Sequence, residues 1–545
     1  MKLKTIFFFF SIPLLNYAQA GNVITKQQEL SEHELKNWYH KDLKEDTIPG
    51  ISLDKAYKEL LSNKKGKEII VAVLDTKLDI HHEDIKQQLW LNTDEIANNG
   101  IDDDQNGYID DIHGWDFLGN TKGEYLKYEN TEAVRILRKY TPLFKDKAPE
   151  TISQDQKELY ELYSKAKKRV NDVIQEEEDF IKYAKNWLEV YPKAKGYLNT
   201  FFPKNKYKIS QLDSLSNTKP SDSLAKAHIQ FIKRAITYEL TPEFYEKYIP
   251  ETQEALKTVL NVDYKERELI GDNPNDNKDL NYGYNQVYGD VPFQHSIVVS
   301  GVLAATRNNN IGIKGVSDNI KIMPVVMVAS GDEHDKDIVS AIRYAVDNGA
   351  KVINMSWGKD FSLHKDWVQD AMKYAEKNDV LLVAGGGNDG RSNDTKDFFP
   401  IDYKNDKEII DNYIVVGATT HALDKNLVAF FSNYGKKNVD VFAPGEKIYT
   451  TDINNKYEFS RGTSIASPIT AGVAALIRSY YPNLSASQVK KVILESGTSY
   501  DIDVEITGQN GEKKLIPFSE LSKSGKIVNA YNALLLAEKM SKNKK

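Results

Sequence analysis

No cysteine occurs in the chain of 545 residues. Disulfides, thiolate nucleophiles and zinc–thiolate centres are therefore excluded together. Clustered positive charge is also missing. The 72 Lys and Arg are interspersed among 79 Asp and Glu, for a formal net charge of −7. Nucleic-acid binding needs a basic patch, so DNA and RNA are not expected partners. Nor does any segment offer the roughly 20 consecutive apolar residues of a transmembrane helix.

The one apolar run at the N-terminus has a different pattern. "MKLK" supplies positive charge, "TIFFFFSIPLL" is too short to span a bilayer, and "YAQA" ends in a small-residue cleavage site after Ala20. Residues 1–20 are expected to be a signal peptide and 21–50 an N-terminal extension. Without a cysteine after the apolar run, a lipoprotein anchor is impossible. The expected destination is periplasmic or extracellular.

From Glu68 onward, short β-rich runs alternate with amphipathic helices: "EIIVAVLDT", "KIMPVVMVA", "DIVSAIRYAVDNG", "AKVINMSW", "VLLVAGGG" and "YIVVGATT". Such alternation predicts βαβ units, hence an α/β fold with a doubly wound, mostly parallel sheet covered on both faces. Sites in such sheets lie at the carboxyl ends of the strands. Asp75 and Asn388 both fall just past strand ends. Between about 121 and 271 the texture becomes helical, rich in Lys, Glu and Tyr. "SQDQ" at 153–156 resembles a capping box. Apolar residues then recur at 4-3 spacing from Leu159 to Tyr191, and again at Leu224, His228, Phe231, Ala235 and Tyr238. The expected organisation is an α/β domain in two parts, 51–120 and 272–545, with an inserted α-helical subdomain at 121–271. His228, within a stripe, reads as packing.

"SRGTSIASPITAGVAALIRSYYP", 460–482, crowds small residues around Ser464 where a strong helix pattern begins. A hydroxyl there sits among free N–H groups that favour developing negative charge, although a capping serine has the same position. "GTSIASP" is more specific than a cap. It resembles the serine motif Gly-Thr-Ser-x-Ala-x-Pro of the subtilisin family of serine peptidases, at every fixed position. "VAVLDTKLD" resembles the family's aspartate motif at Asp75, with Lys77 where glycine is usual. The resemblance implies that Asn388 in "VAGGGND" is an oxyanion donor. It also implies that "INMSWG", with Ser356, Trp357 and Gly358, pairs with extended substrate backbone.

Taken alone, His295 in "FQHSIVVSG" reads as a hydrogen-bonded residue beside an apolar helix. Within the resemblance it matches the base in His-Gly-Thr-x-Val-x-Gly, through His295, Val299 and Gly301. Ser296 and Ile297 depart from that pattern and are expected to crowd the site. The implied chemistry is an Asp75–His295–Ser464 triad in which His295 activates the serine hydroxyl and Asp75 orients the ring. Protein or peptide substrates follow from it, with no cofactor for catalysis.

"NNGIDDDQNGYIDDIHGWDF", 98–117, carries a second pattern. Asp102, Asp104, Asn106 and Asp110 fit the start of an oxygen-rich calcium loop, with the Tyr108 carbonyl as a further ligand. His113 stands where an EF-hand has its closing glutamate, and Asp111 is the expected substitute. The alternatives are a structural calcium or a solvated acidic turn. For the whole chain two functions remain: an exported serine endopeptidase, or a catalytically weak or inactive binding protein of the same fold.

Overall fold

A computed structural model describes residues 29–204, 206–218, 222–280, 282–289, 295–507 and 511–543. The expected signal peptide and the first part of the 21–50 extension lie outside the described residues. The chain divides into two compact units, one of residues 1–125, 269–329 and 333–545, the other of 126–268 and 330–332.

The first unit is built on a nine-stranded sheet. Its strands are β1 (Ile69–Asp75), β2 (Trp115–Asp116), β3 (Ile320–Val326), β4 (Val352–Met355), β5 (Leu381–Gly385), β6 (Tyr413–Thr419), β7 (Val441–Pro444), β8 (Thr498–Ser499) and β9 (Lys526–Ile527). They lie in the order β8-β9-β7-β6-β5-β4-β1-β3-β2, and only the β8–β9 pair is antiparallel. β1 shows why the runs are continuously apolar. Val71 and Val73 enter the core on one face, Ala72 and Leu74 the core on the other, so neither set of alternate side chains meets water. One face is covered by the helices His295–Ala304 and Thr463–Tyr480, the other by Asp335–Asp347 and Lys365–Lys377. The chain passes from β3 on one flank of β1 to β4 on the other. The reversal of strand order, where such folds place their sites, therefore falls at the end of β1. Asp75 is the last residue of that strand.

The described part of the N-terminal extension, from residue 29, belongs to this core. Trp38 and Tyr39 are fully buried, and Trp38 Nε1 donates to the Lys447 carbonyl at 3.0 Å.

The second unit is helical, dominated by the 43-residue helix Lys157–Asn199 with Ser223–Thr237 and Pro242–Lys257 packed beside it. Two details differ from the sequence reading. Ser153 makes no cap bond; a short 3₁₀ turn, Gln154–Gln156, leads into the long helix instead. The buried stripe of Ser223–Thr237 is Ala225, Ile229, Ile232 and Ala235, while Leu224 and Tyr238 are 64% and 70% exposed. Both stripes have helical spacing, and the neighbouring helix selects the smaller residues for close approach.

Gly301 sets the position of the histidine helix. A Cβ there would lie 2.1 Å from Thr451 Oγ1 and 2.7 Å from Thr450 Oγ1. Those hydroxyls, on the strand Ile448–Asp452, donate to the helix carbonyls of Ile297 (2.6 Å) and Val298 (2.7 Å). In an open helix Gly→Ala stabilises by about 0.5–1 kcal/mol. Here Gly301→Ala is expected to destabilise by about 1–3 kcal/mol through overpacking, a change of sign that urea unfolding will measure.

Candidate active site

Asp75 is fully buried, and both its oxygens lie 2.9 Å from His295 Nδ1. Oδ1 also accepts from the Thr76 amide at 2.7 Å. Thr76 in turn fastens the loop to the histidine helix, its Oγ1 accepting from the Ser296 amide at 3.1 Å. His295 heads that helix with its side chain 35% exposed, whereas every later residue through Ala304 is buried. With Nδ1 donating to the carboxylate, the tautomer leaves Nε2 as the proton acceptor. Burial alone would disfavour the imidazolium. The Asp75 carboxylate, with a smaller contribution from Glu333, outweighs that and raises the His295 pKa above its ordinary value.

The serine is placed by a second set of contacts. Gly462 precedes the helix Thr463–Tyr480 at φ +140°, in the region that favours glycine. The point where a Cβ would stand on Gly462 lies 3.6 Å from Asn388 Nδ2, 3.6 Å from the Ser464 amide nitrogen and 3.7 Å from Ser464 Oγ. Asn388 Oδ1 accepts from the Thr463 amide (2.8 Å) and hydroxyl (3.1 Å). That fixes which end of the side-chain amide faces this space. Two donors and a hydroxyl thus surround one small volume at the start of a helix, an arrangement suited to an oxyanion.

The residues expected to bind substrate divide. Ser356 Oγ donates to the Ser464 carbonyl at 2.8 Å and accepts from Asn354 Nδ2 at 2.9 Å. Trp357 Nε1 donates to the Leu74 carbonyl at 2.8 Å. Both side chains are buried framework; Gly358 is partly exposed. Ser296 and Ile297 do not crowd a cleft as expected. They are 0% and 1% exposed, with Ile297 packed in the core.

Lys77, anomalous in the sequence, is explained by a partner 39 residues on. Its Nζ lies 3.2 Å from Asp116 Oδ2 and 4.5 Å from the Tyr125 ring centre, with the ion pair almost fully buried. Burial pushes the Asp116 carboxyl up to about 7, against the opposing pull of Lys77.

In the acidic loop the expected ligand set is only partly brought together. Oxygens of Asp104, Asp111 and Glu95 lie within 4.8 Å of one another. Asn92 and Asn106 amides bridge Asp104 and Asp111 at 2.8–3.2 Å. Asp102 instead accepts from the Asn106 and Gly107 amides, and Asp110 from those of Asn99 and Gly100. The Tyr108 ring stacks edge-on against Trp115 and Tyr344. Glu95, absent from the sequence reading, lies seven residues before Asp102, outside the loop pattern. Its two oxygens accept from the Asp103, Asp104 and Asp110 amides.

The mostly parallel sheet is that of an α/β protein, with the Asp75–His295 pair at the end of β1 and the Asn388–Ser464 cluster at the start of a helix. The subtilase family model (peptidase S8) matches residues 66–515, and the chain belongs to that family. A thermophilic serine proteinase of Bacillus sp. strain AK1 is 38% identical over 228 residues, covering 40% of this chain and 50% of that protein. Subtilisin DY of Bacillus licheniformis is 37% identical over 207 residues, covering 38% and 70%. The chain thus spans about half the length of the first of these relatives. Among solved structures, a protease of Pseudoalteromonas arctica is 26% identical with a TM-score of 0.36, covering 45% of this chain and 70% of that one.

The raised His295 pKa has two consequences of opposite sign. The Asp75 contact stabilises the fold fully below the unfolded value near 6.5, and that contribution fades as pH rises through the folded pKa. A base must be neutral, so the ascending limb of any activity is expected above pH 6.5. Proton NMR titration of the ring, with Asp75→Asn bringing the pKa down, checks both.

Proposed function

We propose that the protein is an exported serine endopeptidase that hydrolyses protein or peptide substrates through an acyl-enzyme. The observation that carries this reading is the grouping of Ser464 Oγ, the Ser464 amide and Asn388 Nδ2 around one point, together with a half-exposed His295 held by the buried Asp75 carboxylate. Ser464 Oγ attacks the scissile carbonyl while His295 Nε2 takes its proton. Asn388 Nδ2 and the Ser464 amide donate to the resulting oxyanion. Collapse breaks the C–N bond, His295 returns the proton to the leaving amine, and water repeats the sequence on the ester. Asp75 stabilises the imidazolium throughout. The acyl half of the substrate lies along 356–358, where Gly358 leaves backbone accessible. No metal enters these steps.

Export rests on the N-terminal charge, apolar run and cleavage pattern. No helix among the described residues is long and apolar enough to cross a membrane. The alternative, a catalytically weak or inactive binding protein of the same fold, is the less favoured reading. It rested on crowding by Ser296 and Ile297, whose side chains are buried. Ser464→Ala is expected to abolish both hydrolysis and fluorophosphonate labelling without changing the far-UV circular dichroism. Undiminished cleavage by that variant would overturn the assignment.

A structural calcium fits the acidic loop in modified form, held by Glu95, Asp104 and Asp111. Their oxygens lie within one ion's reach, and hard carboxylate donors suit calcium. The ion would neutralise charges brought together there and stabilise the folded state. At 100 times its dissociation constant that amounts to about 2.7 kcal/mol. Glu95→Gln is expected to remove most of the calcium-dependent rise in Tm, measured by calorimetry with and without chelator. A full response in that variant would place the ion elsewhere.

A further inference from the structure

Phe430 is 71% exposed, the most exposed large hydrophobic side chain among the described residues. Its backbone is not loose. The segment bridges back to β6 through Thr419 and Val428, the Ala429 amide donates to the Ala418 carbonyl, and the Gly390 amide donates to the Phe431 carbonyl at 2.7 Å. Gly390 is two residues past Asn388, so the backbone at Phe430 lies beside the oxyanion segment. Arg461, the residue before Gly462, carries its guanidinium 5.7 Å from the Phe430 ring centre. Arg461 is exposed and has no ion pair among the described residues. No nearby acid forms an ion pair with it. The Asp389 carboxylate is held by Arg391 at 3.1 Å, and Glu446, although within electrostatic reach of Arg461, makes no ion pair with it.

Sheet order decides which half of a substrate meets this pair. Neighbouring strands β4, β5 and β6 are followed by 356–358, by the Asn388 segment, and by the turn leading to Phe430. With the acyl half along 356–358 and the carbonyl at Asn388, the chain beyond the scissile bond runs toward Phe430 and Arg461. Arg461 stands three residues before Ser464 and an extended peptide advances about 3.3 Å per residue, so the first two leaving-group residues are the ones this pair would meet.

We propose that Phe430 and Arg461 form a specificity shelf for the leaving-group half of the substrate, selecting acidic and large apolar side chains in the first two positions after the cut bond. The inference rests on the peptidase reading above and names the substrate class of that site. An exposed aromatic face offers apolar contact, and an unpaired guanidinium gives a carboxylate a bidentate partner. A guanidinium without an ion-pair partner favours Glu over Lys at a position it can reach.

The test uses quenched fluorescent peptides with one common acyl half and with Glu, Lys, Phe or Gly at the first two positions beyond the bond. The same acyl half joined to aminocoumarin, which has no leaving-group residues, reports the peptidase reading separately. For the wild type, kcat/KM with Glu is expected to exceed that with Lys at least tenfold, equivalent to about 1.4 kcal/mol. Arg461→Glu should invert the ratio, and Phe430→Ala should remove the advantage of Phe over Gly. Cleavage of all peptides with ratios near one, or a ratio unmoved by Arg461→Glu, overturns the shelf. Failure to cleave even the aminocoumarin amide overturns the peptidase reading, and the shelf with it.

Discussion

A carboxylate stripped of water must find compensation for its charge, and Asp75 does so with one imidazole and one backbone amide. That contact constrains much of the first unit. Asp75 has to end a strand whose register is held on both sides, by β3 at Val326 and by β4 at Met355 beside Leu74. His295 has to project from a helix whose remaining residues are all buried. The helix is located by the absence of a side chain at Gly301 and by two threonine hydroxyls bonded to its carbonyls. A displacement anywhere along this chain of contacts separates the charge from its partner, at a penalty of several kcal/mol for an unpaired buried ion.

The serine side follows the same rule with neutral groups. Ser467 Oγ donates to Asn354 Oδ1, Asn354 Nδ2 to Ser356 Oγ, and Ser356 Oγ to the Ser464 carbonyl. Three buried polar side chains are therefore satisfied in a line that ends on the backbone of Ser464, the proposed nucleophile. A satisfied buried network is rigid because breaking any one bond leaves a buried polar group without its partner. The Thr463–Asn388 contacts orient the side-chain amide in the same way. Reorganisation during reaction is thereby avoided, which is where preorganised donors gain over water.

Whatever depends on local spacing was legible in the sequence. Continuous apolar runs marked the strands of a two-faced sheet, and the small residues of "GTSIASP" marked a helix start built for close approach. Partners distant in sequence were not legible. Lys77 appeared as a departure because nothing near it announces Asp116, and Glu95 lies outside the loop pattern that drew attention to Asp102 and Asp110. Ser296 and Ile297 were misjudged for a related reason. Position after a histidine does not say which way a helix turns the next side chains, and here it turns them inward. In the stripe of Ser223–Thr237, Ala235 and Phe231 pack as expected while Leu224 and Tyr238 are exposed, since periodicity fixes an angle between apolar positions but not which neighbour will cover them.

The helical unit shows why so long an interruption between β1 and β3 is tolerated. Loop-closure entropy grows only slowly with length, so the requirement is that the insertion bury its own surface and close its own ends. Trp187 packs against Tyr191 and Tyr245 in a core that belongs to the unit alone. At its base, Asn130 Nδ2 donates to the carbonyls of Thr258, Val259 and Asn261, and Glu129 pairs with Arg267 at 3.2 Å. Arg135 lies between Glu132 and Glu266, all three buried. Residues at the two ends of the insertion are thus joined before the chain continues. The pairing of β1 with β3, on which Asp75 depends, is freed from the length of what lies between them.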